Sequence, residues 1–143
     1  MKNPDKYIRF AYLGALAGIG VPVYDEKIPK STIPAPATYV LITSQTKNRD
    51  HSGRGCVVED CTITLDIISV QALGFGSTVI LNDIEEAITN AILTQPLPIE
   101  HFQVVSTNRA DSFPASFDTD SQSVYRRILR YRHILEETTL TTT

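Results

Sequence analysis

Four closely spaced arginines, Arg126, Arg127, Arg130 and Arg132, form the densest cluster of chemistry-bearing side chains in the sequence. A guanidinium presents five donors in a planar fork, which suits phosphate or carboxylate recognition. Two tyrosines nearby, Tyr125 and Tyr131, are too few for a base-stacking platform. A second basic group, Lys47, Arg49, His51 and Arg54, sits in the polar, glycine-bearing stretch 44–56. That stretch reads either as a solvated loop tip or as an arm reaching a neighbouring subunit or nucleic acid.

The remaining candidates do not assemble into a site. His51, His101 and His133 fall in separate elements, none within a local nucleophile or metal motif. Cys56 and Cys61 bracket four residues. At the two ends of one strand segment they lie beyond the ~7 Å Cα separation that a disulfide allows. Their spacing is not a zinc pattern either, so they read as free, packed thiols. Gly74-x-Gly76 lacks the third glycine of a dinucleotide fingerprint and reads as a tight turn. Asp111, Asp118 and Asp120 lack the glycine and terminal glutamate of a calcium loop. The residues therefore predict no catalytic set, no cofactor and no metal.

The elements that would position these groups follow from periodicity. The organising stretch is 57–70, where Ile63, Leu65 and Ile67 alternate with Thr62, Thr64 and Asp66. Alternation places the two sets on opposite faces of a central strand, one toward a core, the other toward water or a neighbouring subunit. Asn3-Pro4 opens a helix whose stripe is Ile8, Ala11, Tyr12, Ala15 and Leu16, closed by Gly18 and Gly20. Val21 to Tyr24 reads as an edge strand because Pro22 cannot donate a ladder bond. Thr38 to Thr43 is an apolar, β-branched strand that pairs with the organising one in a long hairpin. Ser77 caps a second helix running to about Leu93, with Ile80, Ile84, Ala87, Ile88, Ala91 and Ile92 buried. Residues 101–106 read as a short strand and 108–122 as a mobile polar loop.

The stretch 123–136, which carries the arginines, fits two periods. On a helix Val124, Ile128, Tyr131 and Leu135 stack together. On a strand Tyr125, Leu129, Tyr131 and Leu135 share one face, and Arg126, Arg130 and Arg132 the other. Arg127 and His133 interrupt the first face, and Val124, Ile128 and Ile134 the second. Periodicity alone leaves it open.

The 143 residues fit one domain, here 1–137, with 138–143 as a flexible threonine-rich tail. A net charge of −3 argues against a polycation that coats nucleic acid. No apolar run approaches the ~20 residues of a membrane span, and Asp5, Lys6 and Arg9 break any signal-peptide order. The expectation is a soluble protein of a reducing cytosol, with no membrane partner.

The order of these parts resembles the phage tail-completion, or tail-terminator, family of head–tail joining proteins. The matching stretches begin with Ala17-Gly18-Ile19-Gly20-Val21-Pro22-Val23-Tyr24-Asp25, a glycine segment entering a short strand. Pro36-Ala37-Thr38-Tyr39-Val40-Leu41-Ile42 follows as a "P-Y-V-x-I" strand, and Thr64-Leu65-Asp66-Ile67 with Ser69 as a "T-L-x-I" strand. Arg127-Ile128-Leu129-Arg130-Tyr131-Arg132 matches a final "R-x-x-R-Y-R" strand.

The resemblance implies that 123–136 is a strand. It also implies an α+β fold: an antiparallel β-sheet with a long β-hairpin and two α-helices packed on one face. It further implies a non-enzymatic virion protein, assembled in the bacterial host cytoplasm and located in the tail or neck. Its partners would be itself in a homo-oligomeric ring (a hexamer, with a dodecamer as the other size), the tail tube protein and a neck or head-completion protein. Genomic DNA would make passing contact. Lys47, Arg49, His51 and Arg54 would face the channel or a neighbour. Arg126, Arg127, Arg130 and Arg132 would contact subunits. The alternative from the residues alone is a stand-alone α+β module binding RNA or a small ligand through the basic C-terminal segment.

Overall fold

Asn3 starts the first helix as a side-chain cap, its Oδ1 accepting the Asp5 amide at 3.2 Å. In the computed structural model, which describes residues 2–31, 36–50, 58–73, 76 and 78–138, that helix is α1 (Pro4–Ala15). It is followed by β1 (Val23–Asp25), β2 (Thr38–Asp50), β3 (Val58–Ala72), α2 (Val79–Leu93), β4 (Phe102–Pro114), β5 (Phe117–Asp118) and β6 (Gln122–Glu137). The strands form a six-stranded sheet in the order β1-β2-β3-β6-β4, with β5 paired to β6.

β3 lies at the centre, as the alternation in 57–70 predicts, and the arginine-bearing stretch is strand β6. Every pairing is antiparallel except β1 with β2. The dozen residues between those two strands are enough for the chain to return in the same direction. Both helices lie on one face, α1 over β1 to β3 and α2 over β3, β6 and β4. The fold is α+β.

Register assigns the faces. Ile63 pairs with Tyr131, Leu65 with Leu129 and Cys61 with His133, all under the helices and all buried. Ile8 and Tyr12 from α1 with Leu16 just past its end, and Leu81, Ile84, Ile88 and Ile92 from α2, close over them. Fully burying each such aliphatic side chain is worth about 1.5–3 kcal/mol. Ile80, expected in the α2 stripe, is exposed, and Leu81 takes the core position. α1 also stops at Ala15, short of Gly18 and Gly20, with Leu16 at the C-cap position. The expected cap Ser77, the turn residue Gly74, Cys56 and the tail beyond 138 lie outside the described residues.

Two stretches expected to be loops are strands. β2 continues through Asp50, and its pairing with β3 shifts register between Ile42 and Gln45. The shift is a bulge: before it Val40 and Ile42 face the helices, after it Gln45, Lys47 and Arg49 do. Residues 108–114 extend β4, with register shifts between Val104 and Ser106 and between Arg109 and Asp111. These residues are almost all exposed, so no apolar alternation marks the strand.

Candidate interaction surface

The site is built on the sheet face that the helices leave uncovered. In β6, Arg126, Arg130 and Arg132 point to this face together with Val124, Ile128 and Ile134. The strand reading of the segment predicts that grouping. Each arginine already has a carboxylate partner in the same chain. Arg126 donates to Asp66 through Nε at 3.3 Å and through the terminal nitrogen at 2.5 Å. Arg132 makes the same forked pair with Asp60, at 2.8 and 2.5 Å. Arg130 reaches Asp111 at 3.2 Å. The Arg132 hydrogen bond holds the Asp60 carboxyl below its usual pKa, and the Asp66 bond raises that of Arg126.

Arg127 is different. It points to the helix side, where it bonds Asn82 and approaches Glu85 at 3.8 Å. Glu85 also meets Arg109 at 3.7 Å, so α2 is clamped to β4 and β6 through one carboxylate.

Of the second basic group, Lys47 and Arg49 lie on β2 and, because of the bulge, turn under the helices. Lys47 donates to Asn3 at 2.8 Å and pairs with Asp5 at 3.2 Å, tying the hairpin to the start of α1. Arg49 donates to the buried Glu59 at 2.8 Å. The loop-tip placement expected for these two is therefore corrected to strand. His51 and Arg54 lie outside the described residues.

The rest of the open face is apolar at one end. Phe113 sits opposite Ile128, Phe117 opposite Val124, and Val70 beside Val124. Tyr39 is beside Ile68, with the Tyr24 ring 6.4 Å from its own. Phe113 and Phe117 are 40% and 48% exposed, large for aromatics on a sheet with no described element above it. An apolar patch rimmed by satisfied ion pairs is the composition of a protein contact surface.

Sequence reading missed a buried polar chain on the helix side. The Tyr12 hydroxyl bonds His133 Nε2, and Thr107 Oγ1 lies 3.0 Å from His133 Nδ1. Burial pushes the His133 pKa down to about 4 and the Tyr12 pKa well up, so both are neutral near pH 7. His133 and Tyr12 are fully buried, which makes this a core link between α1, β6 and β4. His101 lies elsewhere, 3.5 Å from Glu100 with its ring edge-on to Tyr7. Among the described residues no group of three or more His, Cys, Asp or Glu could hold a metal ion, and no helix is long and apolar enough to cross a membrane.

No protein-family model and no curated protein matches the sequence. Among solved structures, a chain from a structure described as the virion of a native gene transfer agent particle shares the fold. It aligns over 95% of this chain and 99% of its own length, with a TM-score of 0.75 and 16% identity. A second solved structure overlaps less well, at a TM-score of 0.48 and 18% identity over 90% of this chain and 94% of that one.

Proposed function

We propose that this chain is a structural, non-catalytic virion protein of a tailed phage or phage-like particle. In this reading it forms a homo-oligomeric ring, six subunits being the favoured number, at the head-proximal end of the tail. The ring contacts the tail tube on one side and a neck protein on the other, and DNA passes through it. The observation that carries the reading is the near end-to-end fold match with a chain of a gene transfer agent virion. The order of motifs from Ala17 to Arg132 that resembles tail-completion proteins adds to it. The open face fits the same role, since its exposed phenylalanines and self-neutralised arginines suit a protein neighbour better than a phosphate backbone.

Light scattering at two protein concentrations and two salt levels, with and without purified tail-tube and neck proteins, tests it. A discrete ring-sized species, alone or on adding those proteins, is the expected result. A chain that stays monomeric in every mixture yet shifts on adding RNA would sink the reading.

A further inference from the structure

Charge is divided across the sheet. The residues up to Asp50 that build α1, β1 and β2 carry seven Lys and Arg against four Asp and Glu, a formal +3. Residues 78–121, which build α2, β4 and β5, carry one arginine against seven carboxylates, a formal −6. Between them β3 and β6 nearly cancel, with four arginines against five carboxylates. Because β1 and β4 are opposite ends of the strand order, and α1 lies mainly over β1 to β3 while α2 lies over β3, β6 and β4, the two charge blocks weight opposite flanks.

The excess charge is accessible. Lys6, Lys27 and Lys30 are exposed on the basic flank, and Asp83, Glu86, Asp118 and Asp120 on the acidic one. None of the seven is in a salt bridge among the described residues. Among the described residues, both flanks also end on a strand with an unpaired edge. The two register shifts in β4 interrupt its edge ladder, which disfavours plain strand addition and leaves recognition to side chains. Phe113 and Phe117 add exposed apolar surface on the acidic flank.

We propose that copies of this chain associate head to tail, the α1/β1/β2 flank of one against the α2/β4/β5 flank of the next. The inference rests on the ring reading above and names the two surfaces that make the ring. A contact between unlike surfaces repeats around a ring or along a filament, whereas like-to-like contact closes at two subunits. Opposite flank charges favour the first and penalise the second, because each like-to-like pairing sets one sign against itself.

The test uses two full-length variants. Lys6→Glu/Lys27→Glu/Lys30→Glu makes both flanks negative. Asp83→Lys/Glu86→Lys/Asp118→Lys/Asp120→Lys makes both positive. All seven positions are exposed, so circular dichroism should match the wild type. In sedimentation at low salt, each variant alone should need more than about tenfold higher concentration than wild type to assemble. An equimolar mixture should regain assembly, since every flank then finds its opposite. Wild-type assembly should also weaken between about 0.05 and 0.5 M salt, which requires no variant.

Wild type that assembles while either variant assembles equally well overturns the flank contact and leaves the ring standing. So does wild-type assembly indifferent to salt, or a folded mixture that stays monomeric. Wild type that never assembles, alone or with tail and neck proteins, overturns both.

Discussion

Acid should loosen this fold through a single histidine, and the size of the effect can be worked out. His133 is fully buried, and burial lowers its pKa from 6.5 to about 4. The unfolded chain therefore binds a proton below about pH 6.5 that the folded chain refuses until about pH 4. Stability from this group is complete above the unfolded value, falls as pH drops between the two, and levels off below the folded one. A tenfold difference in proton affinity is worth about 1.4 kcal/mol, so the loss is about 2 kcal/mol by pH 5 and about 3 kcal/mol below pH 4. For a chain of this size 2 kcal/mol lowers Tm by roughly 4–8 °C.

His133→Gln isolates the contribution, because an amide can still serve Tyr12 and Thr107 but does not titrate. Urea unfolding from about pH 7.5 to 4.5 should show the wild type losing about 2–3 kcal/mol more than the variant. Parallel pH profiles would refute the link between burial of this ring and acid sensitivity, since every other titrating group is common to both proteins.

Three other outcomes follow from the geometry. Arg9 donates to Gln45 at 2.6 Å and to the Ile42 carbonyl at 3.1 Å, and also meets Asp25 and the Thr43 carbonyl. Arg9→Ala should cost about 1.5–3 kcal/mol and speed hydrogen exchange at the Val40 amide, which bonds the Pro22 carbonyl beside β1. Unchanged protection there would mean that β1 is held without it. Burial, with Glu59 and Asp5 nearby, pushes the Cys61 thiol up to about 12. In a Cys56→Ser background, iodoacetamide at about pH 8 should therefore label Cys61 only after unfolding, and native labelling would contradict its burial. Nucleic-acid affinity of the isolated chain should be weak, with a salt slope near zero. A log–log slope of about −3 or steeper would show that the open-face pairs release their arginines to phosphate.

How far the sequence foretold this structure depended on whether a residue's fate is set locally. The central strand was legible because Ile63, Leu65 and Ile67 alternate with Thr62, Thr64 and Asp66, and the helices because their stripes recur at helical spacing. The start of β4 was legible as the 101–106 strand, but its continuation through 108–114 was not, since at a sheet edge those residues meet water and carry no burial signal. Lys47 and Arg49 were misplaced because the polar, glycine-bearing stretch 44–56 carries no apolar alternation and so reads as a loop; the bulge after Ile42 then decides which face of β2 they take. The Tyr12–His133–Thr107 chain joins residues as much as 121 positions apart, and no local pattern announces it. For the arginines a signal did exist. Asp60 and Asp66 share the polar face of β3 at even positions, as Arg126 and Arg132 do in β6, so one antiparallel register sets each aspartate diagonally across from its arginine.

That register bears on what the open face can recognise. A surface that grips phosphates keeps its guanidinium forks uncommitted, because each phosphate contact replaces water rather than a carboxylate. Here Arg126 and Arg132 each spend two donors on one aspartate, and Asp66 is 5% exposed at the centre of the sheet. Pulling Arg126 away would strand that carboxylate among Thr64, Ile68 and Leu41 side chains, at a cost of several kcal/mol for a charge so enclosed. A phosphate would have to return that much before gaining anything. An apolar neighbour asks for no such exchange: it covers Phe113 and Phe117 while the ion pairs stay closed at the rim. The face that looks basic in the sequence is thus, once folded, a nearly neutral surface whose unsatisfied part is its phenylalanines.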